Sequence, residues 1–201
     1  MRPPYPTDSS PYSFDGLGPE RSWFERIGLP GLGLGVTLIS LAMLFAAGLI
    51  AFGHKRFEGM PAVVLPPLLW ASTVVLAVSA VTMVKAQRAA RLGQAPAMKR
   101  WLLITSCLAI AFIATQTPAL WQLLTAHQSH ATGLHGSVFF LILVHALHVL
   151  GGLVPLGYLT YRAHRPSLRR GLPSPQGVTL TGIYWHFLEV VWIVLLVTFL
   201  A

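Results

Sequence analysis

Between Arg100 and Arg162 the chain runs for 61 residues without a Lys, Arg, Asp or Glu. A water-soluble surface cannot be built from such an interval, because soluble domains carry about one charged residue in four. The interval is also too long for one crossing of a bilayer, since about 20 apolar residues span roughly 30 Å of hydrocarbon. It divides at Thr125-Ala-His-Gln-Ser-His-Ala-Thr-Gly133, which is polar and loop-like. That division predicts membrane helices over 100–124 and 134–161. Two further charge-free runs, Leu29 to Gly53 and Gly59 to Val84, predict spans over 29–53 and 62–86. The last run, Val178 to Ala201, holds one charge, Glu189, and predicts a fifth span over 178–201. Only 10% of the 201 residues are charged. The expected fold class is an all-α integral membrane protein with five transmembrane helices.

The basic residues give the orientation. The N-terminal segment carries Arg2, Arg21 and Arg26, the second connection Lys85, Arg88, Arg91, Lys99 and Arg100, and the fourth Arg162, Arg165, Arg169 and Arg170. With five spans these fall on one face and make twelve of the fourteen basic residues, leaving Lys55 and Arg56 opposite. The positive-inside rule then places the N-terminus in the cytoplasm and the C-terminus outside, in the periplasm if the membrane is the inner membrane of a bacterium. Residues 1–28 read as a cytoplasmic arm: a Pro-rich stretch, then a short interfacial segment in which Trp23, Phe24 and Ile27 dip into the headgroups. Residues 29–201 form the membrane domain. No cleavable signal peptide is expected, because the first apolar run is long enough to span and follows mixed charges.

The formal charge of +8 is therefore a topology signal. A nucleic-acid partner is not expected, because the basic connections lack interleaved stacking aromatics and would lie against anionic headgroups. One Cys excludes a disulfide framework and a Cys-based metal site. No Gly-rich phosphate loop appears, and no Ser/His/Asp triad is available because no Asp follows Asp15. No catalytic residue is assigned.

From Gly59 to the end there is one carboxylate, Glu189, midway along the last span. A charge at the bilayer centre costs on the order of 3 kcal/mol, so Glu189 should face protein and have a partner. His186 lies three residues before it on the same face, and His145 and His148 share a face of the fourth span. A His148–Glu189 contact is geometrically possible; a single cluster of all four fits less well, because the pairs start from opposite faces. Three readings stand: interhelical hydrogen bonds that fix packing, a proton-handling network coupled to a partner subunit, and a zinc or haem site. A di-iron site would need four carboxylates. Gly136, Gly151 and Gly152 are candidates for close helix contact, Pro155 for a kink, and Trp192 for packing, with Trp185 and Tyr184 as packing or interfacial aromatics.

Two motifs make the sequence recognisable. Gly136-Ser-Val-Phe-Phe140 followed by His145-Ala-Leu-His-Val-Leu-Gly-Gly152, and Tyr184-Trp-His-Phe-Leu-Glu-Val-Val-Trp192, resemble the signature of subunit III of haem–copper oxidases. The likeness runs more loosely through the first three spans, with Leu65-Pro66 opening the second, and length and span count are similar to the short five-helix bacterial form. The resemblance implies a subunit of a cytochrome c oxidase that binds no haem, copper or other metal of its own, these residing in partner subunits. It implies packing on the catalytic subunit I beside other subunits of the respiratory complex. It also implies phospholipid in a cleft between the first two helices and the rest, and support of assembly, stability and proton uptake. His148, His186 and Glu189 match the family's polar positions. Lys85, Arg88, Trp101, Arg162 and Arg165 are where lipid headgroups are expected, and they serve equally as positive-inside anchors.

The family's carboxylates in the first three spans fall at Leu41, Ala71 and Gln116. Ala and Leu cannot bind a proton, and Gln cannot titrate, so the expected role is mainly structural and lipid-organising. An accessory protein of a nitric oxide reductase system has the same span count and is the first alternative. A stand-alone membrane metalloenzyme using the His/Glu cluster is more remote, and a transporter is disfavoured by five spans without an inverted repeat.

Overall fold

The computed structural model describes residues 23–57, 67–129, 133–165 and 172–200. They form five helices: α1 (Trp23–Phe57), α2 (Leu68–Arg91), α3 (Ala95–Ser129), α4 (Gly133–His164) and α5 (Pro175–Leu200). Each is long and apolar enough to cross a bilayer, so the all-α, five-helix architecture expected from the charge-free runs is the one observed. Most of the N-terminal arm, Leu65-Pro66, Arg169 and Arg170 lie outside the described residues.

Several helix bounds differ from the sequence expectation, and three of the differences have a clear physical reason. α2 occupies Leu68–Arg91 rather than 62–86, so Lys85, Arg88 and Arg91 belong to the helix and not to a connection. Their aliphatic stems can lie along the helix while the charged heads reach the interface, so basic residues need not end a span. The chain then reverses within three residues. Gly93 adopts φ 68°, its N–H donates to the Ala90 carbonyl at 3.3 Å, and the Gln94 N–H donates to Ala89 at 2.9 Å. This is a Schellman close, which requires a left-handed residue at Gly93. The polar stretch after Thr125 is also largely helical, since α3 continues to Ser129 and α4 starts at Gly133. At 35 residues α3 is roughly 50 Å long, so its end projects beyond the hydrocarbon, where polar residues suit a helix. Finally, Trp23–Gly28 run into the first span without a break, so that part of the expected interfacial segment is continuous with α1.

Helices α2 to α5 close a four-helix ring, with α2 packed on α3 and α5, and α4 on α3 and α5. α1 packs from outside on α4 and α5. In the first span 11% of the most apolar stretch is buried, against 33% to 44% in the other four. A cleft that sets the first two helices apart from the rest is not this arrangement: among the described residues α1 does not pack on α2, and the broadest contact in the molecule is α2 with α3. The reason is local. The three-residue turn at Gly93 forces α2 and α3 into an antiparallel pair.

The seams of the ring share one spacing. α2 buries Leu69, Ser72, Leu76, Ser79, Met83, Ala86 and Ala90, and α5 buries Val178, Gly182, Trp185, Glu189, Trp192, Leu196 and Phe199. Steps alternate between three and four, the heptad pattern that holds one helix face against a neighbour. On α2 the small residues of the seam let α3 approach closely. There Ser72 Oγ accepts from Gln116 Nε2 at 3.1 Å, and Thr105 Oγ1 donates to Thr82 Oγ1 at 2.9 Å.

Candidate functional site

Glu189 sits on the α5 seam and is 7% exposed. Its Oε2 lies 2.8 Å from His186 Nδ1, and its Oε1 accepts from Ser79 Oγ of α2 at 3.2 Å. The same Ser79 oxygen accepts from Trp185 Nε1 at 2.9 Å. The hydrogen bonds therefore run in one direction, from the indole to the hydroxyl to the carboxylate. They cross from α5 to α2 and back. Together with His186 they give the only carboxylate after Glu58 the partners that burial demands.

His148 is not among those partners. α5 turns Glu189 toward α2, while Tyr184 and Leu188 face α4 at Gly152. His148 Nδ1 instead donates to its own helix, at the Val144 carbonyl 2.7 Å away. Its ring lies edge-on to Phe45 at 5.8 Å, and its carbonyl accepts from Tyr184 Oη at 3.1 Å.

His145 is separate again. It is 1% exposed, with the Trp192 ring 5.2 Å away and those of Phe45 and Phe112 at 6.1 and 6.2 Å. Among the described residues neither of its ring nitrogens has a hydrogen-bond partner. Trp192 Nε1 donates to Thr73 Oγ1 at 3.0 Å and makes no use of the imidazole. The four expected network residues thus divide into a Glu189–His186 pair tied to α2, a self-bonded His148, and an aromatic-caged His145. Among the described residues no three His, Cys, Asp or Glu side chains converge as metal ligands would.

A buried polar group without partners destabilises, and an apolar residue of similar volume removes that cost. His145→Leu is therefore expected to leave the thermal midpoint in detergent unchanged or raise it, by up to about 1 kcal/mol of stability. A clear drop in thermal unfolding would mean that the imidazole is hydrogen-bonded after all.

The basic residues gather at one end of the ring, where α2 meets α3 and α4 finishes. Lys85 Nζ lies 4.5 Å from the Trp101 ring centroid, and the Arg100 guanidinium 5.8 Å from the same ring. Arg162 lies over Tyr158 at 5.7 Å and Arg165 over Tyr161 at 5.3 Å. Arg88 is exposed one turn before the end of α2. Cations resting on amphipathic rings are the chemistry of a membrane interface.

The glycines are unequal. A Cβ built on Gly152 would lie 2.8 Å from Tyr184 Cε1 and 3.4 Å from Leu188 Cδ1, whereas one on Gly151 meets only Tyr184 Oη, at 3.9 Å. Gly136 is part-buried in the first turn of α4. Of the three departure positions, Leu41 and Gln116 are buried and Ala71 is exposed.

Sequence reasoning missed Ser79, Thr73 and Gly182. The last has Gln87 of α2 lying directly over it, with Met83 Cε 3.1 Å from an added Cβ. Ser79 carried a signal, because Ser72, Ser79 and Ala86 recur at seven-residue spacing as seam residues do; Thr73 lies outside that series. Gly182 carried none, since its role depends on which residue of α2 comes opposite.

The family model for cytochrome c oxidase subunit III matches residues 25–201. A probable cytochrome c oxidase subunit 3 from Nocardia farcinica is 28% identical over 172 residues, covering 81% of this chain and 83% of that protein. Cytochrome c oxidase subunit 3 of Thermostichus vulcanus is 29% identical over 172 residues, 82% and 83% of the two chains. That of Synechocystis sp. is 31% identical over 127 residues, 63% of this chain and 53% of the relative.

Proposed function

The chain belongs to the cytochrome c oxidase subunit III family, and from that premise we propose that it is a non-catalytic, cofactor-free subunit of a haem–copper respiratory oxidase. In this reading it packs on the catalytic subunit, organises phospholipid and supports assembly and stability during aerobic electron transport. The observation that carries it is the match over residues 25–201. The hydrogen bonding of Glu189 supports it: both carboxylate oxygens are engaged, by Ser79 and His186, as suits a group that holds helices together. Support for proton uptake would then be indirect, through the partner's structure, because Leu41, Ala71 and Gln116 offer no carboxyl. The ring-stacked cations Lys85, Arg162 and Arg165, with Arg88 and Trp101, are the proposed headgroup contacts. They would face the cytoplasm from a bacterial inner membrane, with the C-terminus in the periplasm.

The test is a mild-detergent pull-down of this chain from its own membranes, followed by an optical spectrum and elemental analysis. Haem bands with copper are expected. Haem and non-haem iron without copper would move the chain to a nitric oxide reductase system. A colourless lone protein holding zinc would overturn the subunit reading.

A further inference from the structure

The outer side of the α2–α5 seam is not closed. A groove of about 280 Å³ lies there, its α2 side formed by Thr73, Ala77 and Ala80, its α5 side by Val190 and Ile193, with His186 and Glu189 in its lining. Apart from that pair the groove is nearly all hydrocarbon. The His186 side chain is 33% exposed and Glu189 9%. Nδ1 of the imidazole is committed to Glu189, while Nε2 has no hydrogen-bond partner among the described residues. His186 lies eleven residues from the start of α5 and fourteen from its end, roughly 16 and 21 Å along the axis. Both ends are thus far away, and the ring sits within the hydrocarbon depth.

An exposed ring nitrogen at that depth needs a partner that lipid tails cannot provide. An acyl chain would fill the groove and leave Nε2 unsatisfied. The exposed side of α1 is different: Val36, Ile39, Met43 and Ile50 form an apolar face that acyl chains suit well. We infer that the α2–α5 groove receives a membrane-spanning helix of the haem-bearing partner subunit, and that this helix brings a hydroxyl side chain to His186 Nε2. A hydroxyl fits both states of the ring. It donates to Nε2 when the imidazole is neutral and accepts from it when a protonated ring faces an ionised Glu189. The inference rests on the subunit reading and adds the face and the chemistry of the contact.

A photo-crosslinking residue, p-benzoylphenylalanine, placed at Ile193 on the mouth of the groove tests it in native membranes, with the same probe at Ile110 of α3 as the comparison. Irradiation through Ile193 is expected to join the chain to a haem-bearing subunit, and the joined peptide to be a membrane-spanning segment containing Ser, Thr or Tyr. Ile110 should give no such product, and His186→Phe should abolish the Ile193 product. A crosslink from Ile193 to lipid alone, to a second copy of this chain, or to a segment without a hydroxyl would overturn the inference. So would the absence of any product while haem still co-purifies. Ala77→Trp, which places an indole in the groove from its α2 wall and keeps both His186 and Glu189 in the chain, provides a second reading. It should remove the co-purifying haem at an unchanged membrane level of this chain, and retention of the haem would count against the groove. If no haem-bearing protein accompanies even the unaltered chain, the subunit reading itself fails, an outcome distinct from the others.

Discussion

Glu189→Leu lowers the stability of the membrane domain by about 2–3 kcal/mol, the sum of one lost interhelical hydrogen bond and one imidazole N–H left without an acceptor. In a chain of this size that is a fall of roughly 5–10 °C in the thermal midpoint, read as unfolding in detergent and as reduced recovery of the complex. The partition follows from the geometry. Ser79 loses its acceptor at 3.2 Å but still accepts from Trp185, and its hydroxyl can turn to a carbonyl of its own helix. Its share is therefore small. His186 has no such recourse inside the groove, so its Nδ1, 2.8 Å from the carboxylate, carries most of the loss. Glu189→Gln keeps an oxygen for one donor and should lose about half as much. An unaltered midpoint for the leucine variant would show that the pair does not hold α5 to α2. Normal recovery with a selectively slowed turnover would contradict the structural role in another way, by giving Glu189 a part in the complex's chemistry.

Why the interhelical partner of Glu189, Ser79, was hidden in the sequence while His186 was not is a matter of helix rotation. The absence of charge over 61 residues forces membrane helices, because backbone groups in hydrocarbon must be satisfied within the segment. The demand that Glu189 be paired follows from the cost of burying it. Neither argument says which neighbour α5 turns toward. In water an apolar stripe answers that question, but lipid is as apolar as the protein core, so apolar periodicity does not mark the inner face. What marks it is small and polar residues at heptad steps, as at Ser72 and Ser79 on α2. Read that way, α2 already carries a hydroxyl at the middle of its buried seam. His145 is the opposite case. Its position in the motif suggests a polar partner, and only the rings of Phe45, Phe112 and Trp192 around it reveal that it packs as an aromatic. The place of α1 outside the ring was beyond sequence reasoning as well, since a helix facing lipid on most of its surface and one facing protein are equally apolar.

The same geometry separates two adjacent glycines that the sequence leaves equivalent. Gly152→Leu should be among the most damaging substitutions in α4, whereas Gly151→Leu should be mild. A Cβ at Gly152 falls 2.8 Å from Cε1 and 3.1 Å from Cδ1 of Tyr184, so the ring has to move before the rest of a leucine is accommodated. It is not free to do so, because Tyr184 Oη donates to the His148 carbonyl at 3.1 Å on the same helix. Relief comes only by breaking that bond or by separating α4 from α5, and overpacking of this kind costs typically 1–3 kcal/mol before the lost hydrogen bond is added. The expected total is about 3 kcal/mol, near a 10 °C loss in thermal midpoint. Even Gly152→Ala should register, since the contact begins at Cβ. Gly157, one and a half turns further along α4, has nothing within 4 Å of an added Cβ. Gly157→Ala should therefore be neutral or slightly stabilising, as the alanine restricts the unfolded chain. Equal midpoints for the Gly152→Ala and Gly157→Ala variants in detergent would mean that Tyr184 yields without cost and that α4 and α5 are not held at close approach by this pair.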